Sequence, residues 1–122
     1  MDPDEFLDLA RALSGHDDLR GDAASRTIIN RAYYAAHHSA MISLNNIGIN
    51  PLAGARYPEN TRHELVIGAL RDKNDHLADM LERLRELRVT ADYFLKESID
   101  RADPGRSLKM ADTILSGLAL VR

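Results

Sequence analysis

From Arg26 to Leu44 the chain runs without a proline or a glycine, and Ile28, Ile29, Ala32, Tyr33, Ala35, Ala36, Ala40, Met41, Ile42 and Leu44 spread apolar side chains around most of a helical circumference. A helix that is apolar on nearly every side must be surrounded by other elements, so this run predicts a central helix inside an all-α fold. Its one polar stripe then has to face something specific, because a buried polar group without a partner costs about 1–3 kcal/mol.

Arg31 and His38 define that stripe. At about 100° per residue an i, i+7 spacing turns roughly 700°, within about 20° of two full turns, so both side chains leave the helix on one side. Tyr34 lies between them at i+3, and Asn45 extends the line by another i+7. His37 is less well placed, since it points about 120° away from Arg31 on the same wheel. The pair makes a candidate phosphate and proton-transfer site: a guanidinium fork bonds two phosphate oxygens at once, and an imidazole exchanges a proton near neutrality. At this level a pair hydrogen-bonded inside the bundle, or across a dimer interface, is the alternative.

The rest of the chain organises around further helices. Asp2-Pro3-Asp4-Glu5 has the form of a capped start, with Phe6, Leu7, Leu9, Ala10 and Leu13 as the apolar stripe and Ser14-Gly15 as the stop. The central helix is expected from near Asp22 to around Asn46, followed by a loop punctuated by Gly48, Pro51, Gly54 and Pro58. Asn60 or Thr61 would cap a third helix, Asp72 to Asp75 would break it, and His76 to about Leu95 would form a fourth. Asp103-Pro104 repeats the cap-then-proline start for a closing helix buried through Leu108, Ala111, Ile114, Leu115 and Leu118. The expectation is a single domain, 1–122, built as an antiparallel up-and-down bundle of four to five helices. Arg83, Arg85 and Arg88 read as a solvated, salt-bridged side of the fourth helix, with Arg88 in reach of Asp92 at i+4 and RNA contact as the alternative.

Composition closes off several classes. The chain has no cysteine, which removes disulfides and thiolate chemistry, and its net charge of −3 argues against general polyanion binding. No apolar run approaches the ~18 residues of a membrane span, and the acidic start has the wrong charge for a secretory signal, so no membrane and a cytoplasmic location are expected. His63-Glu64-Leu65-Val66-Ile67 opens like a zinc-protease motif, but Ile67 stands where the second histidine belongs. His37 and His38 diverge by about 100° and cannot share an ion, His16 and His76 read as surface residues, and neither a metal nor a cofactor is expected.

The stretch Asn30-Arg31-Ala32-Tyr33-Tyr34-Ala35-Ala36-His37-His38-Ser39-Ala40 resembles the signature of the HEPN family, an arginine four to six residues before a histidine on a central helix. Leu84-Arg85-Glu86-Leu87-Arg88-Val89-Thr90-Ala91-Asp92-Tyr93 is similar to the second recurrent block of small prokaryotic members. The resemblance implies a helical domain that forms a homodimer, with two copies of the central helix facing across a cleft. It further implies a metal-independent endoribonuclease site in which His38 takes the ribose 2′-hydroxyl proton and Arg31 holds the phosphate, with Asn30, Tyr34, His37 and Asn45 as candidate substrate contacts. The setting it implies is a toxin–antitoxin or defence pair, with RNA as substrate and a nucleotidyltransferase antitoxin as partner. Ala32 stands where active members commonly carry a polar residue, and Ala40 where the toxin branch carries a modified tyrosine. A non-catalytic module binding a nucleotide, RNA or a nucleotidyltransferase therefore stays open as the alternative, as does a purely structural dimer.

Overall fold

The structure, a computed structural model, describes residues 3–14, 22–54, 56–96 and 98–121. Five helices carry the fold, α1 (Pro3–Ser14), α2 (Asp22–Asn46), α3 (Glu59–Lys73), α4 (Asp75–Tyr93) and α5 (Asp103–Leu118), and there is no strand among the described residues. None of these helices is long and apolar enough to cross a membrane.

α2 sits at the centre, packed against each of the other four helices and most closely against α1, α4 and α5. Ala32, Ala35, Ala36 and Ala40 are fully buried along it, and their small side chains let the neighbouring backbones approach closely. Tyr33 and Leu44 fill the larger gaps and meet Leu70, Leu81, Leu84 and Ile114 in one continuous core, and Ile29 is fully buried as well.

The helix ends follow from local chemistry. After Asn46 the chain turns through Gly48 at φ +82°, with Ile49 N donating to Leu44 O at 2.9 Å and Gly48 N to Asn45 O at 3.0 Å. This is a Schellman closure, and it needs the left-handed backbone that glycine adopts without strain. α3 starts earlier than Asn60 or Thr61 would have placed it: the Pro58 carbonyl accepts from Arg62 N at 3.0 Å, so backbone alone supplies the cap. The break between α3 and α4 is the single extended residue Asn74, whose side chain accepts from Leu77 N at 3.1 Å. Asp103 is the first residue of α5 and not its cap, because Asp100 already closes the preceding turn by accepting from Ala102 N at 2.8 Å. The expected cap at Asp2, the stop at Gly15 and the surface placement of His16 lie outside the described residues.

α4 ends at Tyr93 because Arg26 of α2 reaches over its C-terminus. The Arg26 guanidinium, on a residue only 8% exposed, donates to the carbonyls of Ala91 at 2.9 Å, Thr90 at 3.3 Å, Phe94 at 3.3 Å and Leu95 at 3.4 Å. A cation at the negative end of a helix satisfies the last carbonyls and complements the macrodipole together.

Candidate functional site

Arg31 and His38 are brought to one face of α2, and one ring from α1 touches both. Phe6 stacks on the His38 imidazole with centroids 5.8 Å apart and planes 18° from parallel, while the Arg31 guanidinium carbon lies 5.6 Å from the Phe6 ring centre. Tyr34 also stacks on the same imidazole, at 5.8 Å and 25°. Both Arg31 and His38 are half-buried. The Arg31 Nε is buried without a hydrogen-bond partner, and its guanidinium meets no carboxylate among the described residues. Burial pushes the His38 pKa below its usual value, so the imidazole is neutral at neutral pH and able to accept a proton.

A second polar cluster adjoins this face, and sequence reasoning did not assemble it. Arg88 of α4 is buried at 4% exposure, which corrects its reading as part of a solvated side. Its Nη2 donates to Glu59 Oε1 and to the Tyr34 hydroxyl, each at 2.8 Å, and its Nε lies 3.0 Å from Asp92 Oδ2, an ion pair off the line of a good hydrogen bond. The guanidinium carbon also lies 5.2 to 5.6 Å from the ring centres of Tyr33, Tyr34 and Tyr93. A buried cation needs such partners to offset its desolvation. The clue was in the spacing: Leu77, Leu81, Leu84, Arg88 and Ala91 follow the 4, 3, 4, 3 row of the buried face of α4.

The other candidate residues are distributed unevenly. Asn30 donates from Nδ2 to Asp92 Oδ2 at 2.9 Å and so belongs to the Arg88 cluster. Tyr34 joins both groups, through its ring to His38 and through its hydroxyl to Glu59 and Arg88. His37 is buried at 5% exposure, 4.6 Å from the His63 ring centre and stacked on Tyr33 at 5.7 Å. Burial, reinforced by His63, His38, Arg62 and Arg88, pushes the His37 pKa down to about 3, so this imidazole stays neutral. The Tyr33 hydroxyl bonds His63 Nδ1, and burial raises the pKa of that phenol. Asn45 is exposed at the far end of α2 and is not drawn in.

Comparison with family models, with curated proteins and with solved structures finds no match for this chain. Among the described residues no three histidine, aspartate or glutamate side chains converge where they would hold a metal ion.

The arrangement offers three chemical capabilities along the middle of α2. Arg31 supplies a positive charge that meets no carboxylate among the described residues, His38 supplies a neutral base beside it, and the Glu59–Arg88–Tyr34 cluster fixes the Tyr34 ring against that base. Arginine next to a neutral imidazole suits a phosphodiester better than a carbonyl, because the fork matches two phosphate oxygens.

Proposed function

We propose that this chain is a HEPN-like domain that cleaves RNA as a homodimer, with Arg31 and His38 as its working pair. The observation that carries this is the shared face: a guanidinium with no carboxylate partner among the described residues and a neutral imidazole, both packed on the Phe6 ring. In the reaction, neutral His38 removes the 2′-hydroxyl proton, the resulting oxygen attacks the adjacent phosphorus, and Arg31 holds the charge that builds on the phosphate oxygens. The P–O5′ bond breaks to leave a 2′,3′-cyclic phosphate, and the departing oxygen takes up the proton that His38 gained in the first step, which returns the imidazole to its neutral form.

Two exposed apolar residues support a dimer on this face. Ile42 is 47% exposed one turn beyond His38, and Leu9 is 46% exposed one turn beyond Phe6, so both flank the Arg31–Phe6–His38 line. A second copy of the chain seated there would cover them and bring two working pairs together. The biological setting we propose is the toxin-like half of a two-component system, with a nucleotidyltransferase as the antitoxin partner.

The test is incubation of the purified protein with mixed RNA, with and without chelator. Cleavage that survives chelator and falls at least ~100-fold in both Arg31→Ala and His38→Ala is the expected result. One observation favours a second reading, a binding module without cleavage: Phe6 lies between the two groups a phosphate would have to bridge. Intact RNA in every sample, with oligonucleotide binding that weakens in Arg31→Ala, would select that module over the nuclease.

A further inference from the structure

Beside His38 a cavity of about 200 Å³ opens between α2, the following loop and α3. That is below the ~300–1,000 Å³ of sites that take drug-sized ligands, so it is sized for one flat ring system and not for a whole nucleotide. Met41 and Leu52 give it apolar wall, and the stacked rings of Tyr34 and His38 give it an aromatic one. The polar lining is Glu59, Arg62, His37 and His63.

Three of those polar groups have unused capacity. Arg88, Tyr34 and His63 all converge on Glu59 Oε1, which leaves Oε2 without a partner among the described residues. Arg62 stands three residues on along α3, exposed, and its guanidinium makes no hydrogen bond or ion pair among the described residues. His37, 5% exposed, carries a buried Nδ1 that has no partner. The Arg88 hydrogen bond holds the Glu59 carboxyl below its usual range, so at neutral pH it accepts hydrogen bonds and donates none. A carboxylate acceptor and a guanidinium donor, side by side over an aromatic shelf, complement a planar ring whose edge presents N–H donors followed by acceptors.

We infer that the cavity lined by Tyr34, His37, Glu59 and Arg62 is a nucleobase subsite that selects guanine. Guanine alone among the four RNA bases sets two adjacent donors, N1–H and the N2 amino group, beside the O6 and N7 acceptors that arginine reads best. Packing against the cavity walls of Tyr34, His38, Met41 and Leu52 holds the ring, Glu59 takes the donor edge, and Arg62 takes the acceptor edge. Its role as a substrate subsite rests on the ribonuclease proposed above, because it places a base within reach of the His38 imidazole.

Nucleosides test this without a phosphate and without any cleavage. Guanosine, adenosine, cytidine and uridine are titrated into the full chain while the histidine ring signals are followed by NMR. Guanosine is expected to bind about 10-fold tighter than the other three and to shift the His37 signals, with the preference lost in Arg62→Ala and in Glu59→Gln. Glu59→Gln also disturbs Arg88, so Arg62→Ala, at an exposed position, keeps the test decisive if the former fails to fold. Equal affinity for all four nucleosides, absence of binding, or a preference that persists in Arg62→Ala overturns the subsite. Guanosine preference in a protein that leaves RNA intact would retain the subsite and remove the nuclease; RNA cleavage without nucleoside preference would do the reverse.

Discussion

Phe6 governs the environment of both groups in the candidate pair. Its ring covers one side of the His38 imidazole and lies against the Arg31 guanidinium, so removing it admits water to both. Phe6→Ala is therefore expected to raise the His38 pKa back toward 6.5, read from the pH dependence of its NMR signals. The half-buried ring should cost about 1–2 kcal/mol of stability in a urea melt, less than the full core value. An unchanged His38 titration in Phe6→Ala would show that burial against Phe6 is not what lowers it. The i, i+7 spacing of Arg31 and His38 was enough to place them on one face, since helix geometry is local. Phe6 was legible only as part of an apolar stripe, because nothing local tells which neighbour that stripe meets. Arg88 shows the converse: its i+4 partner Asp92 was evident, but its burial depends on Glu59 and Tyr34 arriving from two other helices.

The same division holds for whole helices. All five were visible as periodic apolar rows between glycine, proline and acidic punctuation, and the extent of α2 agrees with the sequence at both ends. Ends that depend on distant groups were less visible, as at α4, where Arg26 supplies the cap from another helix. Two glycines separate local from tertiary effects. A methyl added at Gly68 of α3 meets nothing within 4 Å, whereas at Gly117 of α5 it would lie 2.7 Å from Leu77 Cδ2 of α4. Gly68→Ala should stabilise by about 0.5–1 kcal/mol through helix propensity alone. Gly117→Ala gains the same propensity but overpacks a buried contact, with a net loss of about 1 kcal/mol or more. Thermal melts of the two variants side by side measure the difference, and equal shifts would mean that Leu77 moves aside freely.

At the scale of the whole molecule, the polar interior ties α2, α3 and α4 together through Arg88, Glu59, Tyr34, Asp92 and three histidines, and it makes stability depend on pH in one direction. His37, His38 and His63 all have folded pKa values below the ordinary 6.5, His37 at about 3. Between the folded and unfolded values such a base binds more protons unfolded than folded, so stability is complete above pH ~6.5 and declines as the pH falls through that window. Glu59 adds to the decline with the same sign: its carboxyl is held below 4.5 by Arg88, and protonation below that value dissolves the ion pair. The melting temperature should therefore fall steadily from pH 7 to pH 4, with the histidines responsible for the upper part of the slope. His37→Phe preserves ring packing against Tyr33 and His63 while removing the base whose pKa is pushed down to about 3. It should melt close to the parent at pH 7 and above it at pH 4.5, by several degrees at roughly 4 °C per kcal/mol. A variant whose curve stays parallel to the parent across that range would show that His37 is not the group whose protonation opens the bundle.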